Sequence, residues 1–147
     1  MRTMFDACDP ANIPTLPQMV AGYLDGPCKD NWQGPAWSRW PRAQKVRITD
    51  EANPLADVFD YERGTAPLAQ VRTAVADRAK AYLPSVVYVN ESNWSTAKQD
   101  LRGLPVAWWV ADPTGKEHLV PGSVATQWGW FGTYDISLVA DAWPKGA

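Results

Sequence analysis

Two carboxylates spaced two residues apart are the residues of this chain best suited to acid and base chemistry. Asp60 and Glu62 follow the apolar Val58 and Phe59 in the run VFDYERG. If this run is a β-strand, its period-two alternation places both acids on one face, with Cα atoms roughly 6.6 Å apart. Carboxyl groups at that reach suit cleavage of a glycosidic bond, where one group stays protonated while its neighbour stays ionised. The alternative is a strand end whose acids face solvent or cap the next helix.

Eight short apolar runs separated by turn signals predict the strands that must position these acids. Apolar residues recurring at three and four residues predict helices at 66–82 and 93–102, with Thr65 and Ser92 as their N-caps. The connection between the second and third strands is rich in Pro, Gly and Trp, which allows at most a short helix near 35–40. The predicted strands are 3–8, 19–24, 45–49, 57–62, 86–90, 107–111, 124–128 and 134–139.

The order of these elements predicts one α/β domain over residues 1–147, a compact, helix-poor β/α barrel of the TIM-like kind. Strands and helices alternate in the first two thirds, and strands then follow one another directly. Barrel enzymes carry their sites at the carboxyl ends of the strands, and polar residues such as Asp6, Asn90 and Gln127 lie there. A three-layer sandwich would also place polar residues at strand ends, so both architectures stay open.

Composition and charge limit which binding partners and which cellular location we expect. The chain has 14 basic and 16 acidic residues and no run of like charges, so we expect neither nucleic acid nor a membrane as a partner. The start MRTMFDACDP lacks the apolar core of a signal peptide, and no apolar run approaches the length of a membrane span. The nine tryptophans can stack on sugar rings as well as fill a core.

Cys8 and Cys28 are the only cysteines, too few for a disulfide scaffold and without a partner set for zinc. Each follows a predicted strand, so the two could be neighbours. Because the chain shows no secretion signal, we expect two buried thiols, with a disulfide as the alternative.

Six short segments, taken in chain order, carry a resemblance to a known family. They are MFDAC at 4–8, FDYE at 59–62, VYVN at 87–90, AWWVA at 107–111, QW at 127–128 and YDIS at 134–137. In this order they resemble the glycoside hydrolase family 25 lysozymes and the related glycoside-hydrolase-like domains of actinobacteria and their phages. The first segment resembles that family's first strand with its inward aspartate, and the second resembles its Asp-x-Glu strand.

The resemblance implies a barrel of the (β/α)5β3 type, with a site for the bond between muramic acid and glucosamine in peptidoglycan. Glu62 would be the general acid, a role that needs a pKa raised by burial or by a charged neighbour. Asp60 and Asp6 would position the sugar, hold a water or balance the developing positive charge. No metal or cofactor is implied. The residues expected to bind substrate are Tyr88, Asn90, Trp109, Gln127 and Asp135.

Two features depart from that family's pattern. The chain is considerably shorter than a typical barrel of about 250 residues, and the loss falls on the helices and loops that would build cleft walls. Arg63 follows Glu62 directly and would depress the pKa of that acid if its side chain folded back, but strand alternation predicts that it points outward.

Enzyme and nonenzyme therefore both stay open. The first hypothesis is a muramidase-type peptidoglycan hydrolase, such as a phage lysin or a virion-borne wall-degrading module. The alternative is a catalytically inactive barrel that binds cell-wall polysaccharide or serves as a structural phage virion protein of the tail or capsid. The expected partner is peptidoglycan or another wall glycan, joined in the second case by other phage proteins. The expected location is the virion, or the medium after lysis, and otherwise the cytoplasm.

Overall fold

Eight strands form one closed barrel in the computed structural model, which describes residues 1–62 and 64–144. The strands are β1 (Arg2–Asp6), β2 (Met19–Tyr23), β3 (Gln44–Thr49), β4 (Val58–Asp60), β5 (Ser85–Asn90), β6 (Val106–Ala111), β7 (Ala125–Trp130) and β8 (Asp135–Val139). Each pairs with the next along the chain, and β8 closes the barrel on β1. The first seven run parallel, whereas β8 is antiparallel to both neighbours. The prediction of a compact, helix-poor α/β barrel is confirmed.

Helices are few and lie on the outside of the barrel. The two α-helices found among the described residues are α1 (Leu68–Lys80), between β4 and β5, and α2 (Glu91–Asp100), between β5 and β6. Short 3-10 helices at Pro10–Asn12, Lys29–Trp32 and Gly34–Arg39 follow β1 and β2. Neither α-helix has the length and apolar character needed to cross a bilayer, within the part of the chain that the structure describes.

The lower part of the barrel interior is apolar and closely packed. Alternate residues of each strand point inward, which buries Met4 of β1, Met19 of β2, Val58 of β4 and Trp109 of β6 in one cluster. At about 25 cal/mol per Å² of apolar surface, such a cluster supplies much of the driving force for folding. The strand ends above it are therefore held by a packed support.

Two outer clusters cover the other faces of the strands. On one side, Trp32 of the second 3-10 helix and Trp40, directly after the third, pack in one cluster with Val20 of β2. Gly22 permits this contact, since a Cβ at that position would lie 2.3 Å from the Trp32 ring. On the other side, α1 packs against Phe59 of β4 and Val87 of β5, and α2 lies against β5 and β6. The barrel is thus covered by aromatic turns on one flank and by α-helices on the other.

The first α-helix begins two residues later than predicted. Pro67 is its N-cap, with extended backbone angles, and no side chain caps the helix. A residue before proline avoids helical angles, so Ala66 cannot start the helix. Thr65, predicted as the cap, instead hydrogen-bonds to Glu62 in the preceding turn. Tyr82, predicted on the apolar face, lies beyond the helix and is 92% exposed.

The second helix begins earlier than predicted, because Asn90 at the end of β5 leads directly into it. The backbone of Asn90 is extended, with φ of −61° and ψ of 141°, and Glu91 is already helical. Ser92, predicted as the cap, therefore lies inside the first turn of α2.

The two cysteines form a disulfide, so the expectation of two free thiols is wrong. The parallel pairing of β1 and β2 brings the segments after both strands to one edge of the barrel. The Cα atoms of Cys8 and Cys28 lie 5.0 Å apart there, within the usual span of a disulfide. Asn31 adds a hydrogen bond from its side-chain amide to the Cys8 carbonyl.

Candidate functional site

The mouth of the barrel collects most of the residues that the sequence singled out. Asp6 ends β1 and Asp60 ends β4, so both lie at the carboxyl edge of the parallel strands. Because β8 runs the other way, its first residue, Asp135, reaches the same edge and pairs directly with Asp6. Asp60 pairs with Tyr88 of β5. Gln127 joins them through a hydrogen bond that it accepts from the Tyr88 hydroxyl, at 2.6 Å.

Asp6 is buried at this mouth without a hydrogen-bond partner among the described residues. Its side chain is 5% exposed, and its Oδ1 atom accepts no hydrogen bond. Burial, followed by the charges of Asp135 and Asp60, raises the pKa of Asp6 well above its ordinary value. The protonated form of Asp6 is therefore favoured.

Asp60 is the second acid whose protonated form is stabilised. Burial raises its pKa to about 8, with smaller contributions from the nearby charges of Glu62 and Asp50 and from a hydrogen bond to Asp50. When both groups are ionised, one oxygen of Asp50 and one of Asp60 have no partner among residues 1–62 and 64–144. A proton on Asp60 removes this conflict, because the protonated carboxyl donates to Asp50. Asp60 thus has the character of a general acid at neutral pH.

Asp50 is a member of the site to which the sequence interpretation assigned no role. Its backbone N–H donates to Asp25 Oδ1 at 2.7 Å, and Thr49 Oγ1 donates to Asp25 Oδ2 at 2.7 Å. Gly26, with φ of +73°, leaves room for the carboxylate, since a Cβ there would lie 2.2 Å from Asp50 Oδ2. The sequence signal is the dipeptide Asp25-Gly26 after β2, facing the acids after β3.

Glu62 lies at the rim of the mouth and not on β4. The strand ends at Asp60, and the carbonyl of Glu62 accepts hydrogen bonds from the N–H and the hydroxyl of Thr65. The shared strand face predicted for the two acids is therefore absent. The Glu62 side chain is exposed, and its Oε1 accepts a hydrogen bond from Asn90 Nδ2 at 3.1 Å. Arg63, expected to point outward, lies outside the described residues.

Trp109 was predicted to line the cleft, but the structure places it in the core. Its side chain is 1% exposed, and its indole N–H donates to Ser137 Oγ at 3.0 Å. The ring meets Tyr88 edge to face, with centroids 4.9 Å apart. Trp109 therefore points into the barrel but is buried in the core, so it supports Tyr88 and offers no free face to a sugar.

A different tryptophan, Trp130, offers an exposed aromatic face at the mouth, where Trp109 was predicted to lie. Trp130, at the end of β7, is 71% exposed and pairs with Asp135 across the strands. It lines a groove of about 410 Å³ together with Tyr88, Gln127 and Asn90. A large aromatic face beside amide and carboxyl groups suits stacking on a sugar ring. The signal in the sequence was the run WGWF at 128–131, which continues the seventh predicted strand into a turn.

Comparison with models of known protein families, with curated proteins and with solved structures found no match to this chain. The chemistry of the mouth therefore follows from its residues and their geometry.

Proposed function

We propose that the chain is a glycan hydrolase of the muramidase type that cleaves a glycosidic bond of peptidoglycan at the barrel mouth. The observation that carries this proposal is geometric: the half-buried Asp60 ends β4 two residues before the exposed Glu62, and the hydrogen-bond partner of Glu62, Asn90, lines the groove of the exposed Trp130. Glycosidases need one protonated carboxyl and one ionised carboxyl flanking the bond. Burial favours the protonated form of Asp60, and the exposed carboxyl of Glu62 follows it in the chain, which supports this assignment.

The reaction begins with proton transfer from Asp60 to the glycosidic oxygen. Asp60 takes this role in place of Glu62, because burial stabilises the protonated form of Asp60. Glu62 then acts as the second carboxylate, either attacking the anomeric carbon or activating a water that does so. Asp135, whose pKa burial and the charge of Glu62 raise to about 6, is mainly ionised at neutral pH and faces the positive charge that develops on the sugar.

The barrel is of the (β/α)5β3 type in this proposal. Support comes from helical segments after β1, β2, β4 and β5, and from the closing strands β6, β7 and β8, which follow one another without an intervening helix among the described residues. The connection from β3 to β4 carries no helix in the described chain, which makes this a reduced form of that barrel.

Clearing of a suspension of purified cell walls tests the hydrolase directly. Asp60→Asn and Glu62→Gln should each lower the rate of clearing by about 10²- to 10⁴-fold, the usual worth of a positioned acid or base. Asp77→Asn is the matched control, since Asp77 is exposed on α1 and pairs with Lys80 at 3.0 Å. Clearing at the wild-type rate in either mouth variant would remove that residue from the chemistry.

The second candidate is a barrel that binds wall polysaccharide without cleaving it, as a wall-binding or structural phage virion protein. The exposure of Trp130 favours it, since a stacking face and a polar groove suffice for binding. Retention on insoluble peptidoglycan, loss of retention in Trp130→Ala and no release of new reducing ends would select this candidate. Neither retention nor release by the wild type would exclude both.

A further inference from the structure

Glu62 borders a second pocket, which shares no lining residue with the Trp130 groove. It has a volume of about 310 Å³ and is lined by Tyr61, Glu62 and residues of α2. Asn90 lines the first groove and donates to Glu62 Oε1 at 3.1 Å. A single hydrogen bond between these two side chains therefore marks the boundary between the two depressions, and the Glu62 carboxylate lies at their junction.

The floor of the second pocket is held by a chain of hydrogen bonds. The Tyr61 hydroxyl donates to Asp100 Oδ2 at 2.6 Å, and the Arg72 guanidinium donates to the Asp100 carbonyl. Burial, with the hydrogen bond to Asp100, raises the pKa of Tyr61 to about 12, so the phenol keeps its proton at neutral pH. These contacts tie the turn after β4 to both α1 and α2, which gives the pocket a preorganised floor.

The wall of the pocket presents polar groups that are available to a ligand. Asn93 and Thr96 lie three residues apart on α2, a spacing that places both on one face of the helix. Both are exposed, and neither side chain hydrogen-bonds to another described residue. An amide and a hydroxyl each donate and accept, which is the chemistry that sugar hydroxyl and acetamido groups require.

We infer that this pocket is a second sugar subsite, which binds the glycan ring on the far side of the cleaved bond from the ring on Trp130. The inference rests on the proposed function, because it needs a glycan that crosses Glu62. Each depression falls at or above the lower end of the size range of small-ligand sites, and their junction coincides with the exposed carboxylate. The glycan runs from the Trp130 groove, over the Asn90 to Glu62 contact, to Asn93 and Thr96.

The test compares two double variants of α2. Asn93→Ala/Thr96→Ala removes the polar wall, whereas Ser95→Ala/Gln99→Ala changes two exposed residues of the same helix that do not line the pocket. The probes are N-acetylglucosamine and a soluble peptidoglycan tetrasaccharide of alternating N-acetylglucosamine and N-acetylmuramic acid. Calorimetric binding is measured in the Asp60→Asn background, which we expect to bind without cleaving, and kcat/KM in the otherwise wild-type chain.

The wall variant should bind the tetrasaccharide about tenfold more weakly, since two lost hydrogen bonds cost roughly a factor of ten together. Its affinity for the single sugar, bound at Trp130, should not change. Its kcat/KM for the tetrasaccharide should fall by a similar factor, while the Ser95 and Gln99 variant keeps wild-type values. In NMR spectra, the backbone amides of Asn93 and Thr96 should shift with the tetrasaccharide and not with the monosaccharide.

Two results would overturn the second subsite while leaving the hydrolase in place. One is an unchanged affinity and kcat/KM in the wall variant, and the other is a set of amide shifts confined to the Trp130 groove. By contrast, a wild-type chain that neither binds nor cleaves the tetrasaccharide would remove the proposed function, and the subsite with it. Circular dichroism of each variant separates these outcomes from misfolding.

Discussion

The lower interior of the barrel and its mouth are built by the same strands, two residues apart, yet they have opposite chemistry. In β1, Met4 belongs to the packed apolar cluster, while one carboxyl oxygen of Asp6 has no partner in the part of the chain that the structure describes. In β4, Val58 and Asp60 repeat this change. Residues i and i+2 of a strand face the same side, so both members of each pair point into the barrel. Burial of the apolar member stabilises the fold, whereas burial of a carboxyl group without a hydrogen-bond partner destabilises it.

Polar groups in the two levels differ in the same way. In the lower level, the Trp109 indole N–H finds Ser137 Oγ at 3.0 Å. At the mouth, one carboxyl oxygen of each of four acids lacks a protein partner among the described residues; these acids are Asp6, Asp50, Asp60 and Asp135. Most buried polar atoms in proteins are paired, so such a concentration makes the mouth the candidate level for binding a ligand.

The largest effect should follow from opening the lower level. Trp109→Ala removes a fully buried indole and its hydrogen bond, and we expect a loss of about 4 kcal/mol in the free energy of unfolding. Urea denaturation followed by circular dichroism measures it. Trp130→Ala is the matched control, since this exposed tryptophan should change stability by less than about 0.5 kcal/mol. Equal losses in the two variants would contradict the division into a supporting level and a binding level.

A smaller effect should follow from releasing the loops on the mouth side. The disulfide between Cys8 and Cys28 spans 20 residues, and a loop of that size stabilises by about 3 kcal/mol in the chain-entropy model. Cys8→Ser/Cys28→Ser should lower the urea midpoint accordingly. The wild type with a reducing agent should show the same midpoint, and the variant should not respond to that agent. A variant as stable as the oxidised wild type would show that the lower level alone holds these loops.

The sequence predicted which strand residues point into the barrel better than it predicted how far each one lies from the barrel mouth. Asp6, Tyr88 and Trp109, which the resemblance placed inside the barrel or in its cleft, do point inward, and the predicted β/α barrel is present as a closed one. Whether an inward residue lies at the mouth or below it depends on the stagger of neighbouring strands, which is a tertiary property. Trp109 was therefore assigned to the cleft, although it lies in the core. Trp130 was overlooked, because the predicted seventh strand ended two residues before it, at 128.

Local chemistry at strand ends was the other source of error. The strand pattern predicted that β4 continues to Glu62. In the structure β4 ends at Asp60, and Thr65 holds the following turn through hydrogen bonds with Glu62. The disulfide could not be derived either, because the approach of Cys8 and Cys28 follows from the register of β1 with β2. Both features depend on contacts that a pattern along the chain does not contain.

The smallest of the expected effects concerns the acids of the mouth and depends on pH. The folded state raises the pKa of Asp60 from 3.8 to about 8, so it holds this proton more tightly than the unfolded chain. Stability from this group is therefore complete below about pH 4 and is lost as the pH rises toward 8. Asp135, with a pKa raised to about 6, acts in the same direction. Because water reaches the open mouth and screens the ionised form, we expect a loss on the order of 2 kcal/mol from Asp60.

Asp60→Asn should reduce this slope, since an amide carries no titrating proton and can still donate to Asp50. Urea denaturation at several pH values between 4 and 8 measures the difference between variant and wild type. Near pH 4 the two should have similar stability, and near pH 8 the variant should be the more stable. Ser95→Ala/Gln99→Ala, which changes two exposed residues of α2 that do not titrate, should keep the wild-type slope. An Asp60→Asn protein with an unchanged slope would mean that the acid of the mouth is already ionised at neutral pH, which would return the proton-donor role to Glu62.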